Sequence, residues 1–249
     1  MNTDKWNKVF DDYVRNYDQT DKDIIYKYNH TYRVCKQSAN ICDNLHLNDE
    51  QKEVAYLIAL LHDIGRFYQD KVYNTYIENG SFDHGDYGIK ILFEDRLIRK
   101  FIKSDKYDKY IYLGVKNHNK YAIEKNLNEE ELLQCKIVRD ADKLDILNNA
   151  INVAKINKRE NDYSDISDEV RKACFSHKMV NKKYRKTNND SVITLLSLVY
   201  DLNFDYSFIY IKENNIINKI YENIKDKDKF KPYFDEINNY IEKRCYDVK

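Results

Sequence analysis

One proline and five glycines are the only strong backbone breakers in 249 residues, and that scarcity limits what the chain can fold into more than any other feature. Glycine costs about 1 kcal/mol and proline about 3 kcal/mol in a helix interior. A chain that nearly omits both, and repeats apolar residues at three- and four-residue spacing between Lys, Glu, Asp and Asn, is built for long helices. No hairpin signal interrupts the pattern. The expectation is an all-α helical bundle, a single domain over residues 1–249 that can bury a full core without disulfides. Caps and periodicity predict helices over 4–17, 31–45, 49–64, 84–102, 107–118 and 129–152, with several more after residue 165. All five glycines, Gly65, Gly80, Gly85, Gly88 and Gly114, fall between 65 and 114, so tight turns or close backbone approach are concentrated there.

Composition excludes several partners. Lys plus Arg and Asp plus Glu are 42 each, so no global field draws the chain to nucleic acid or to an anionic membrane, and any anion site has to be local. The five cysteines, Cys35, Cys42, Cys135, Cys174 and Cys245, are odd in number and include no Cys-x-x-Cys pair. That predicts reduced thiols in a cytoplasm, with neither a disulfide framework nor a thiolate zinc site. Met1 to Arg15 is charged throughout, and no run approaches the roughly 20 apolar residues of a membrane span. Beyond Ala150, segments such as Thr194 to Tyr200 and Ile216 to Tyr221 continue the helical pattern with no linker or repeat, and His177 is the one ligand-competent histidine there.

The apolar run Ala55 to Leu61 leads straight into His62-Asp63, followed by Ile64-Gly65-Arg66. An imidazole and a carboxylate are costly to bury unless something positive lies between them. Gly65 is expected to end the helix, leaving the pair at a partly negative helix end that also favours a cation. His30, read as the start of a helix, shares an apolar face with Val34, Ile41 and Leu45. His118 shares one with Ile111, Gly114 and Val115, and His84 precedes Gly85 and Gly88, whose small size admits a close neighbour. In Arg139-Asp-Ala-Asp-Lys-Leu-Asp145, Asp140 and Asp142 lie about 200° apart around a helix axis, so one of them serves a given ion, and spacing leaves open which. A lone buried histidine is usually a core group donating to a carbonyl. Four histidines and two acids at no metal-finger spacing make a centre only if a bundle gathers them, and mixed imidazole and carboxylate donors suit a divalent Mn, Fe, Co, Ni, Zn or Mg ion.

The order His30, His62-Asp63, Asp142, with Leu-Leu-His-Asp-Ile-Gly-Arg at 60 to 66, Asn-His-Thr-Tyr-Arg-Val upstream and Asp-Ala-Asp-Lys-Leu-Asp downstream, resembles the HD superfamily of metal-dependent phosphohydrolases from about Asn29 to Leu147. The resemblance implies that His30, His62, Asp63 and Asp142 hold a first metal, and it selects Asp142 over Asp140. It makes Lys143 a phosphate contact and matches His84 and His118 to the ligands of a second ion, or to groups that touch phosphate or move a proton. Arg66 is a second candidate for the substrate phosphate, and Asp145 a residue that orients Lys143 or a ligand. The basic run Lys182 to Lys186 reads as a solvated charge cluster.

A phosphohydrolase of this kind would use one or two divalent ions to activate water against a phosphate ester or anhydride of a small molecule, with a nucleotide as the expected substrate. Asp63, Lys143, His84 and His118 are then the candidate catalytic residues. No glycine-tyrosine-proline extension follows the motif, which separates the chain from the cyclic-di-GMP phosphodiesterases of the same superfamily. Two alternatives share the ligand pattern: an HD-fold di-iron oxygenase and a non-catalytic nucleotide-binding HD protein.

Overall fold

The computed structural model describes residues 3–76, 82–153 and 164–246. Gly80 lies outside them. Among the described residues there is no β-strand, and the fold is all-α, as the scarcity of breakers predicts. The chain divides into two compact units, Met1–Asp142 and Lys143–Lys249. The boundary falls inside one unbroken helix, and the single-domain organisation of 1–249 is a proposal that rests on that continuity.

The first unit holds α1 (Thr3–Val14), α2 (Lys22–Asn44), α3 (Asp49–Leu61), α4 (Ile64–Tyr73), α5 (His84–Ile89), α6 (Ile98–Phe101), α7 (Asp108–Asn117) and the first half of α8 (Glu129–Val153). Side-chain caps start several of them. Asp21 accepts from the Asp23 and Ile24 amides to open α2, Asn48 and Gln51 form a reciprocal capping box at α3, and Asn128 and Glu131 exchange the same pair of bonds at α8. Each cap satisfies amides that would otherwise lack a partner. Helix α3 packs against α2 and α7, and its residues Leu57 to Leu61 are fully buried. Two glycines set these approaches. A Cβ on Gly65 would overlap the His84 carbonyl oxygen, and one on Gly114 would come within 2.5 Å of the Ile58 side chain. α4 therefore touches α5, and α7 touches α3, through missing side chains.

Three sequence expectations are corrected. His30 does not begin a helix: α2 starts eight residues earlier, because Asp21 is a competent N-cap and no breaker lies between it and His30. Gly65 does not end one either. The chain turns at His62-Asp63, where Asp63 has φ −103° and ψ 17°, and α4 begins at Ile64 with Gly65 inside it. The helix predicted over 84–102 is interrupted: α5 passes into a π-helical turn at Lys90–Glu94, and Arg96 adopts a left-handed φ of 59° before α6.

The second unit contains the remainder of α8, then α9 (Asp168–Phe175), α10 (Asn188–Leu196), α11 (Asp205–Glu213), α12 (Ile216–Glu222) and α13 (Lys227–Tyr246), with single 3-10 turns at Lys182–Tyr184 and Ser197–Asp201. Phe208, Phe230, Ile211, Ile216, Ile220 and Ile237 form part of its core. Asp190 pins the entry to α9, accepting from the Ser167 amide and hydroxyl at 2.8 Å each. His177 lies among Tyr200 and Tyr240, with Nε2 2.7 Å from Glu236. The cysteines are free thiols, four of them buried, and no described helix is long and apolar enough to cross a membrane.

Candidate metal centre

Five parts of the first unit deliver the donors. The middle of α2 carries His30, the α3–α4 joint carries His62 and Asp63, the start of α5 carries His84, and the end of α7 carries His118. α8 adds Asp142. All four imidazoles and Asp63 are at most 3% exposed.

Asp63 joins the set. Its Oδ2 lies 3.5 Å from Nε2 of both His30 and His62, while its Oδ1 lies 3.2 Å from His84 Nε2 and 3.4 Å from His118 Nε2. Asp142 Oδ1 is 3.2 Å from His30 Nε2 and 3.8 Å from His62 Nε2. The imidazole nitrogens are 3.3 Å apart in the first pair and 2.9 Å apart in the second. Donors about 2.1 Å from a common ion are about 3.0 Å apart at a right angle and about 3.4 Å apart at the tetrahedral angle. The separations from 2.9 to 3.5 Å are close to such edges.

The tautomers carry the fit further. His62 Nδ1 donates to the Ala59 carbonyl and His118 Nδ1 donates to the Val115 carbonyl, both at 2.7 Å. A carbonyl only accepts, so each Nε2 presents a bare lone pair to carboxylates that are themselves acceptors. Lone pairs facing lone pairs in a buried space call for a cation, and this arrangement of ring N–H on a carbonyl is the usual support of a ligating histidine. The residues present at His30, His62 and Asp63 fit a divalent ion, with Asp142 beside the two imidazoles. At His84 the support differs: the Asn119 amide nitrogen is 3.3 Å from Nδ1 and 2.9 Å from Asp83 Oδ1, while Asn119 Oδ1 is buried without a partner. In that orientation His84 Nδ1 accepts, and an ion on the His84–His118 pair requires the amide to turn.

Charge balance explains the ionisation of the acids. Burial pushes the Asp63 carboxyl up, but the Lys27 ammonium beside it is the largest opposing influence, and Asp63 is held well below the usual carboxylate range. Asp142 is likewise held low against its burial, first by the His30 hydrogen bond. Burial, with His84 and His62 adding to it, pushes His118 down to about 4, so it is neutral and ligand-competent at neutral pH. A stability prediction follows for the metal-stripped protein. Between pH 6.5 and about 4 the unfolded chain takes up a proton at this histidine that the folded chain does not. Stability should therefore fall as the pH is lowered through that window and the His118 contribution should level off below it. Denaturant midpoints measured in chelator across the window check this; a midpoint that rises toward acid would contradict the burial of a neutral His118.

Sequence reasoning missed five supporting groups. Lys27 Nζ is 2.6 Å from Asp63 Oδ2, on the oxygen that faces His30 and His62. Its signal was available, since Lys27 lies three residues before His30 on one face of a helix, but only once α2 was extended back to Lys22. Asp83 caps α5 and accepts from Lys120 at 2.7 Å and from Asn119, which ties His84 to the segment after His118. Arg139, 1% exposed, donates to the carbonyls of Asn117 and Lys120 at 2.6 and 2.7 Å. Of the sequence candidates, Arg66 donates to Gln69 and to the Tyr76 carbonyl, with Nε 3.7 Å from Asp63 Oδ1. Lys143 is buried with its ammonium 2.9 Å from Asp201. Asp140 is buried, and Asp145 accepts from Asn149. The Lys182 to Lys186 run includes Lys183 over the Tyr184 ring and Lys186 3.5 Å from Glu169.

Replacing Lys27 with methionine should destabilise the metal-stripped protein by about 1–3 kcal/mol, because Asp63 loses its charged hydrogen-bond donor. Saturating Mn should narrow that deficit, since the ion supplies the missing positive charge. Thermal unfolding of both proteins with and without metal reads the effect, and an equal deficit in both conditions would count against a cation bound at Asp63.

Residues 28–147 match the family model described as HD domain. The matched segment carries every donor named above, and proteins of that family are mostly metal-dependent hydrolases. Searches of curated proteins and of solved structures gave no match to it.

Proposed function

We propose that this chain is a metal-dependent phosphohydrolase that cleaves a phosphate ester or anhydride of a nucleotide. The observation that carries the reading is the convergence of four imidazole nitrogens on the two oxygens of Asp63, a geometry that suits one ion at His30, His62, Asp63 and Asp142 and leaves His84 and His118 for a second. A divalent ion there would supply a Lewis acid that activates water and polarises a phosphoryl oxygen.

The chain's own residues supply the rest. Lys27 and Arg66 flank Asp63 and both lie 5.7 Å from the centre of the Tyr76 ring. Tyr26, 39% exposed, stacks parallel to His30 at 6.3 Å. Cations for a phosphate beside an aromatic face for a base are the chemistry of a nucleotide site. Where no second ion is held, the Nε2 of neutral His118 can take up a proton released during attack, with His84 Nε2 2.9 Å away. Lys143, next in sequence to Asp142, contacts phosphate in this reading by exchanging Asp201 for the substrate.

The test is metal analysis of the protein as purified, then phosphate release from nucleoside mono-, di- and triphosphates with Mn, Co, Ni and Mg. Metal-dependent release abolished by chelator is expected. Tightly held iron with no phosphate release would point instead to an oxygenase, and nucleotide binding without turnover under every metal to a sensor.

A further inference from the structure

A second group of oxygen donors lies apart from the imidazole centre, where the start of α2 packs on the end of α4. Carboxylate oxygens of Asp21, Asp23 and Asp70 all lie within 4.8 Å of one another. The start of α2 accounts for two of them. Asp21 accepts from the Asp23 and Ile24 amides as the N-cap, and Asp23 sits in the first turn, where the helix dipole favours a negative charge.

Nothing comparable accounts for Asp70. It is 6% exposed, lies in the last turn of α4 where the dipole opposes a carboxylate, and its side chain has neither a hydrogen bond nor an ion pair among the described residues. Lys71 beside it has its ammonium over the Tyr17 ring at 5.9 Å. Burial and the negative charges of Asp21 and Asp23 push the Asp70 carboxyl up. A cavity of about 310 Å³ opens onto it, lined in part by Asn16, Asp18, Asp21 and Asn74.

We propose that Asp21, Asp23 and Asp70 form a site for a hard divalent cation, Ca²⁺ in particular, that clamps the start of α2 to the end of α4. Ca²⁺ binds oxygens at about 2.3–2.6 Å, so two donors on one ion are at most about 5 Å apart, and the three carboxylates fit one coordination sphere. Asp18, Asn16, Asn74 and water can complete the six to eight oxygens it takes. The donor set contains no imidazole or thiolate, which separates it from the mixed centre at Asp63 and selects a hard ion. The two helices it would join carry Lys27 and His30 on one side and Arg66 on the other, so the clamp would steady elements of the metal centre without touching it.

The experiment is thermal unfolding and calorimetric titration of the full chain with Ca²⁺, against Asp70→Asn. The wild type should gain stability with Ca²⁺ in the range of about 10⁻⁴–10⁻³ M typical of open carboxylate sites. Asp70→Asn should lose that response, with affinity falling about tenfold or more. Without Ca²⁺ it should be at least as stable as the wild type, since an uncompensated charge is gone, and it should keep its response to Mn at the imidazole centre. Should Asp70→Asn fail to fold, Asp23→Asn at the exposed donor is expected to weaken Ca²⁺ in the same direction. A wild type indifferent to about 10 mM Ca²⁺ overturns the proposal. So does a Ca²⁺ response unchanged in either variant, because the ion then binds elsewhere.

Discussion

Asp63→Ala should abolish divalent-metal binding at the imidazole centre and lower any phosphohydrolase turnover by about three orders of magnitude or more. Among the described residues, Asp63 is the one whose two oxygens face both imidazole pairs, at 3.5 Å from His30 and His62 and at 3.2 and 3.4 Å from His84 and His118. Truncating it removes a ligand from each candidate ion at once. It also leaves the Lys27 ammonium, 2.6 Å from the lost oxygen, beside two imidazoles with no anion between them. Fixed positive charge there repels a divalent cation, so the loss exceeds that of one bond. Asp63→Asn keeps the shape and removes the charge, and should lose nearly as much metal while retaining helical content. Metal content after dialysis, phosphate release and far-ultraviolet circular dichroism measure the three quantities. Full metal occupancy in either variant would show that the ion is not held here.

The second large effect is on stability, at a residue remote from catalysis in sequence. Arg139 is 1% exposed, and its Nη1 satisfies the carbonyls of Asn117 and Lys120 at the end of α7. The last carbonyls of a helix have no partner within it, and a cation there also meets the negative end of the dipole. Arg139→Met fills the volume but leaves those carbonyls buried and unpaired, at a cost of about 2–5 kcal/mol. Against a total stability of about 5–15 kcal/mol that is a large fraction, and the melting temperature should fall by about 5 °C or more. The freed segment carries His118, so metal affinity should drop about tenfold as well. Arg139→Lys should recover only part of both, because a single ammonium cannot reproduce the planar fork. A methionine variant that melts with the wild type would mean that water or another donor satisfies these carbonyls.

Much of the first unit was legible in the sequence. The helix expected from residue 49 begins there as α3, the apolar run into His62-Asp63 marks a buried polar pair, and the glycines between 65 and 114 mark close approaches, as at Gly114; each depends on residues near in sequence. The errors share a cause. Gly65 looks like a helix terminator locally, yet it lies within α4 because the space of its missing side chain is taken by the His84 carbonyl from α5, a partner nineteen residues away that no local pattern reveals. The truncated reading of α2 hid Lys27, since a residue outside a helix has no face.

Residue types and their short-range spacing were enough to establish an all-α chain with a buried histidine–aspartate pair, because backbone propensity and desolvation cost act on each residue wherever it ends up. Distances between α2, α5, α7 and α8 are another matter. Which oxygen of Asp63 meets which imidazole, that Asp142 stands 3.2 Å from His30, and that Asp70 is left without a counter-charge depend on how helices far apart in the chain pack. Packing is a cooperative property of many side chains, and coordination chemistry responds to differences of a few tenths of an ångström that only the assembled fold sets.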